Sequence, residues 1–167
     1  MIHGEIRQLE YKFKSEIFSI LRRNNILLPF MKFVCNPSSE YEDQNLSYDM
    51  KFNGTVELSV RIRKHQYLKY RDFTIRSKSK NGYACEIDKL MTGLGKIYFY
   101  GWMNQQETGL ADWIVVDIDK IRSDLLTAGT YRDNIDNTGF MFYSINWLRQ
   151  KNAIVSEMQP EFIDLSF

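Results

Sequence analysis

Asp49 and Glu57 stand on either side of an Asn53-Gly54 pair, a spacing that can bring two carboxylates face to face across a β-hairpin. Like charges directly opposed in a strand pair repel, so their retention points to a cation between them. The simplest candidate is an oxygen-preferring divalent ion, Mg²⁺ or Mn²⁺. Glu16, on the flank of an N-terminal helix, could lean in as a third oxygen ligand. Lys51 and Arg61 fall on the same face, and they offer the other account of the pair: a solvated surface on which basic side chains neutralise the acids.

The elements that must position these residues are the two strands of the hairpin. Alternation places Tyr48, Met50 and Phe52 on one face of the first, and Val56, Leu58, Val60 and Ile62 on one face of the second. A two-residue turn at Asn53-Gly54 would set apolar residues of one strand against polar residues of the other. A three-residue Phe52-Asn53-Gly54 loop pairs Met50 with Val56 and Asp49 with Glu57, and every apolar residue then agrees.

Around the hairpin, the pattern predicts a helix over Glu5 to Arg23, ended by Asn24-Asn25, and a short strand from Phe30 to Val34. A loop follows from Asn36 to Asn45. Beyond the hairpin come a strand over Asp72 to Arg76 and a helix over Tyr83 to Leu94, in which Glu86 and Lys89 could pair. Next are a doubly covered strand over Ile97 to Trp102, a strand over Trp113 to Ile118 and a helix over Asp119 to Leu126. A polar loop to Gly139, a helix over Ser144 to Gln150 and an apolar tail with Pro160, Phe162 and Phe167 complete the chain. This order predicts a single α/β domain over residues 1–167, with helices packed on a mixed sheet.

Net charge is +1, but eight basic residues between Arg61 and Lys80 face a single acid, Asp72. Arg61, Arg63, Lys64, Lys69, Arg71, Arg76, Lys78 and Lys80, with Tyr67, Tyr70 and Phe73 among them, suit a phosphate backbone with aromatic stacking on bases. A charge-protected sheet edge gives the same pattern. Cys35 and Cys85 are far apart and form neither a disulfide framework nor a zinc pattern, which points to a reducing cytoplasm. No stretch reaches the length of a membrane span, and Glu5, Arg7 and Glu10 break any signal-like run. His3 and His65 lack a triad or metal-ligand context.

These residues resemble the PD-(D/E)XK nuclease-like superfamily of small phage and mobile-element proteins. The likeness rests on Asp49, on Glu57-Leu58-Ser59, on the basic strand Asp72 to Arg76, and on Glu86-Ile87-Asp88-Lys89 with Tyr98 to Trp102. The resemblance implies a restriction-endonuclease-like mixed β-sheet flanked by helices, with an α-β-β-β-α-β core. It further implies metal-dependent hydrolysis of phosphodiester bonds, in DNA rather than RNA, in a bacterial or phage-infected cell. Asp49 and Glu57, with Glu16, would hold the metal that activates a water. Ser59 stands where the superfamily has its lysine, so Lys51, Arg61, Arg76 or Lys89 would have to stabilise the developing charge. The alternative is an accessory protein of the same fold that binds nucleic acid or inhibits a host enzyme without cleavage. A homodimer and a host protein target are further partners compatible with that reading.

Overall fold

The computed structural model describes residues 12–26, 35–37, 50–52 and 56–159. The fold is mixed α/β, and the described residues form two sheets and three short helices. Helix α1 (Lys14–Arg23) precedes strands β1 (Cys35–Pro37), β2 (Met50–Phe52), β3 (Val56–Arg63) and β4 (Asp72–Lys78). Then follow α2 (Glu86–Met91), β5 (Ile97–Met103), β6 (Leu110–Asp117), β7 (Thr130–Asp133), β8 (Gly139–Ser144), α3 (Ile145–Gln150) and β9 (Ile154–Glu157).

Six strands form the larger sheet in the order β1-β2-β3-β5-β6-β9, and three form a second, antiparallel sheet in the order β4-β8-β7. β3 and β5 run parallel, which requires a crossover; β4 and α2 supply it, so the second sheet is anchored within the connection between two neighbours of the first. Every residue of β5 except Ile97 is buried, as expected of a central strand covered on both sides.

Alternation along β3 divides the interior in two. Leu58, Val60 and Ile62, with Phe99, Trp113 and Val115, meet Phe13, Ile17, Ile20 and Leu21 of the α1 segment in a wholly apolar layer. On the other side Tyr98, Tyr100, Trp102, Ile114 and Val116 meet Phe73 and Ile75 of β4, Ile87 and Leu90 of α2, and Tyr143 of β8. Phe73 packs edge-on against both Tyr98 and Tyr100, with centroids 5.2 and 5.3 Å apart.

Several expectations are corrected. The hairpin register is Phe52 with Val56, Lys51 with Glu57 and Met50 with Leu58, so the connection is residues 53–55 and the cross-strand neighbour of Glu57 is Lys51 rather than Asp49. Sliding one strand by two residues leaves every side chain on its own face, so alternation cannot distinguish the two registers. β4 does not extend the hairpin's sheet. The 3₁₀ turn His65–Tyr67 and the left-handed Arg71 (φ 41°) carry the chain out of that sheet into the second one. The expected helix after β6 is two 3₁₀ turns, Ile118–Lys120 and Arg122–Asp124, which still bury Ile118, Ile121 and Leu125. The expected polar loop before Gly139 contains β7, paired with β8.

α1 ends at Asn24 as its sequence predicts, with the Asn24 side-chain amide donating to Ile20 O at 2.8 Å. The strand expected at Phe30 to Val34, most of the following loop, and Pro160, Phe162 and Phe167 lie outside the described residues. No helix among the described residues is long and apolar enough to cross a membrane.

Candidate nucleic-acid interface

The side of β3 turned toward the second sheet carries Ser59, Arg61 and Arg63, which the parallel register sets beside Tyr98, Tyr100 and Trp102 of β5. Two charged residues thus enter the seam between the sheets, where an unpaired charge would be costly. Arg61 meets Glu86, the first residue of α2, with its Nη2 donating to Oε2 at 2.7 Å; the two side chains are 18% and 19% exposed. The same Oε2 accepts the backbone N–H of Arg76 at 2.8 Å, and the Tyr98 hydroxyl donates to Oε1. Burial by itself works against the Arg61 charge, but the Glu86 carboxylate, with Tyr98 and Tyr100, outweighs it and holds the guanidinium above its ordinary pKa. Arg61 is therefore a permanent cation, fixed in place.

One step along β3, Arg63 Nη1 donates to Thr74 Oγ1 at 2.7 Å and to the Tyr100 hydroxyl at 3.3 Å, while its guanidinium lies 4.2 Å from the Tyr67 ring centroid. Thr74 Oγ1 and the Tyr100 hydroxyl are 2.8 Å apart and share a hydrogen bond. Burial pushes the Tyr100 phenol up, against the pull of Arg63 and Arg61. It pushes the Asp72 carboxyl up as well, against Arg63 and Arg132.

The second sheet completes the arrangement. Register places Arg76 beside Phe140, Thr74 beside Phe142, and Arg132 of β7 beside Phe140 on the far side. The guanidiniums of Arg61 and Arg76 both lie over the half-buried Phe140 ring, at 5.6 and 5.8 Å, and Arg132 lies over Phe142 at 5.0 Å. Arg76 Nε and Asp72 Oδ1 are buried atoms without a hydrogen-bond partner. Four arginines, two phenylalanines and two acids thus share one seam. A guanidinium stacked on a ring keeps its N–H edge available for planar, bidentate contact with phosphate oxygens.

The predicted basic band is divided by the fold. Arg61, Arg63 and Arg76 gather in the seam. Arg71 turns to the opposite edge of the larger sheet, with its Nε 2.6 Å from Asp112 Oδ2 and its Nη2 3.6 Å from Glu157 Oε2. Lys78 pairs with Asp133 at 3.0 Å. Lys64, Lys69 and Lys80 are exposed, and Lys69 Nζ lies 4.9 Å from the Tyr70 ring. Lys89 is partly buried on α2, and Glu86 engages the seam through Arg61.

Of the expected metal ligands Asp49, Glu57 and Glu16, the described backbone sets the last two far apart. Asp49 lies outside the described residues, and Lys51 stands opposite Glu57. Glu16 belongs to the helix on the other face of the sheet, where its Oε1 accepts the Leu110 N–H at 3.1 Å, beyond the Arg63 end of β3. Six residues of strand separate Glu57 from Arg63, roughly 20 Å. Among the described residues no three His, Cys, Asp or Glu side chains are grouped closely enough to hold a metal ion. Ser59, at the position of the expected lysine, is 3% exposed beside Tyr98.

Glu86, Thr74 and Tyr100 entered the sequence reading without a role in the site, and it missed Arg132, Phe140 and Phe142. The last three had a usable signal, since the strand-like runs Thr130 to Asp133 and Gly139 to Ser144 on either side of the turn-rich Asn134-Ile135-Asp136-Asn137-Thr138 are a hairpin pattern. No family model matches the chain, and no curated protein matches it.

Proposed function

We propose that the protein binds nucleic acid along the seam between its two sheets, with Arg63, Arg76 and Arg132 as phosphate contacts, held in position over Tyr67, Phe140 and Phe142 respectively. The observation that carries this reading is the gathering of four arginines from β3, β4 and β7 over three rings, Arg61 and Arg76 over Phe140, Arg132 over Phe142 and Arg63 over Tyr67, with Asp72 and Glu86 as the acids beside them among the described residues. Contacts of this kind recognise the backbone and give affinity with little sequence preference. Of the two functions expected from the sequence, this is the binding one. What favours it over cleavage is that Glu86 already accepts from three donors and that the register sets Lys51, and not a second carboxylate, opposite Glu57.

Fluorescence anisotropy of labelled single- and double-stranded DNA and RNA, over a series of salt concentrations, tests the proposal. Arg76→Gln and Arg132→Ala should each weaken binding and flatten the log–log salt dependence by about 0.9 per lost phosphate contact on duplex DNA. Failure of the wild type to bind any of the four, or unchanged slopes in both variants, would sink the reading. The same mixtures, run on gels with Mg²⁺, Mn²⁺ or EDTA, restore the nuclease reading if a strand is cut only with metal.

A further inference from the structure

The hairpin that carries Arg132 ends in a tip of unusual construction. Between β7 and β8 the Asn134 N–H donates to Thr138 O at 2.7 Å, and the Asn137 N–H donates to Asn134 O at 3.1 Å. Asn137 takes the left-handed conformation (φ 65°) that closes such a turn. Side chains lock it further: Asn134 Nδ2 donates to Thr138 Oγ1 at 3.0 Å, while Asp136 Oδ1 accepts from Thr138 N at 3.1 Å and from Thr138 Oγ1 at 2.6 Å. At the base of the tip Tyr131 lies across Gly139, where a Cβ would come within 2.6 Å of its hydroxyl, and donates to Asp133 at 2.6 Å. On the apex of this fixed turn stands Ile135, with a relative exposure of 109%.

A β-branched apolar side chain held fully in water on a rigid backbone gains nothing for the fold and has little ordering to lose on binding. It is also alone, for the tip offers a single apolar projection rather than the cluster of anchors found at protein interfaces. That shape suits a slot one side chain wide. The charge around it indicates what forms the slot. Asp133 is held by Lys78 and Tyr131, and Asp136 is hydrogen-bonded to Thr138, whereas Arg132 and Lys80 are exposed. Arg132 is three strand residues from Ile135, roughly 10 Å, or about three phosphates at 3.4 Å per step on one strand.

We propose that Ile135 is a wedge that inserts between stacked bases while Arg132 and the seam hold the flanking phosphates. The proposal rests on the nucleic-acid reading above and adds to it a preferred form of substrate: a duplex with a base step that opens at low cost, such as a mismatch or a flexible pyrimidine–purine step. An apolar side chain inserted at such a step unstacks it and bends the duplex.

The test uses duplexes with a single 2-aminopurine, whose fluorescence rises when it is unstacked, together with anisotropy on the same oligonucleotides and on an unstructured single strand. The wild type should raise the fluorescence severalfold at one position, most with a mismatch beside it. Ile135→Ser should abolish that rise and weaken duplex binding while leaving single-strand affinity unchanged, and Ile135→Leu should retain both. Duplex binding by the wild type without any change in fluorescence, an equal rise with Ile135→Ser, or equal loss of affinity on both forms would overturn the wedge and leave the binding reading standing. Absence of binding by the wild type would overturn both.

Discussion

The two faces of the larger sheet are built from alternate residues of the same strands, yet they enclose opposite kinds of interior. Toward α1, the described core consists of aliphatic and aromatic side chains and Met103, with no titratable group. Toward the second sheet, Arg61, Arg63, Ser59 and Thr74 are packed among Tyr98, Tyr100 and Trp102. The first face stabilises by excluding water from apolar surface, at about 25 cal/mol per Å². The second must compensate the desolvation of its charges with partners in fixed positions, and such arrangements are weak evidence for stability. What they secure is placement: three donors hold Glu86, Glu86 holds Arg61, and Arg61 shares the Phe140 ring with Arg76. The helix side keeps the domain folded, and the seam side aims its arginines.

The most severe test of this contrast is Glu86→Ala. It strands a mostly buried guanidinium and removes the acceptor of two further donors, so it should cost about 3–5 kcal/mol in chemical denaturation. Replacing both partners, with Arg61→Met and Glu86→Leu together, should recover most of that loss while impairing nucleic-acid binding. If Glu86→Ala costs less than about 1 kcal/mol, the pair behaves as a surface ion pair and the contrast collapses.

On the other face, Leu21→Ala leaves a cavity in an apolar layer and should cost about 2–5 kcal/mol. Its signature is different: affinity per folded molecule should remain that of the wild type. A parallel loss of binding would mean that the two faces are not independent.

The smallest effect is one of pH and belongs to the seam side alone, where Cys85 is 6% exposed beside Asp88. Burial, reinforced by Asp88, pushes its thiol up to about 11 from 9.0. The folded state therefore favours the protonated form. Its contribution is intact below pH 9, falls as the unfolded chain ionises first, and is gone above about 11. The difference in unfolding free energy between wild type and Cys85→Ala should be flat up to pH 9 and shrink from there to 11. A difference independent of pH would show that the thiol is not held in that environment.

Much of the architecture is legible in local pattern, because period-2 and period-3.6 signals are written residue by residue. The β5 run, with Tyr98 to Trp102 between two buried surfaces, announces a central strand, and Asn24-Asn25 marks the end of α1. Ser144, before an apolar helical run, caps α3 by accepting the Trp147 N–H at 3.1 Å. The same pattern carries the division of β3 into an apolar and a polar side, and so predicts that Glu57, Ser59 and Arg61 share a face.

The sequence alone left open what that polar face would meet. Pattern treats a face without apolar residues as solvated or ligand-bound, but here a second sheet covers it, and Arg61 and Arg63 become interior groups with partners from β4, α2 and β5. Register is undetermined for a related reason: parity survives a two-residue slide, so Lys51 in place of Asp49 opposite Glu57 is decided by pairing geometry and not by composition. The basic run from Arg61 to Lys80 was one patch only as a string of letters. Once the chain turns at Arg71 and crosses to the second sheet, its charges separate to three sides of the molecule, and Arg132, sixty-one residues from Arg71, joins those that remain. Charge clusters in space are set by topology, because side chains distant in sequence meet only when a sheet brings their backbones together.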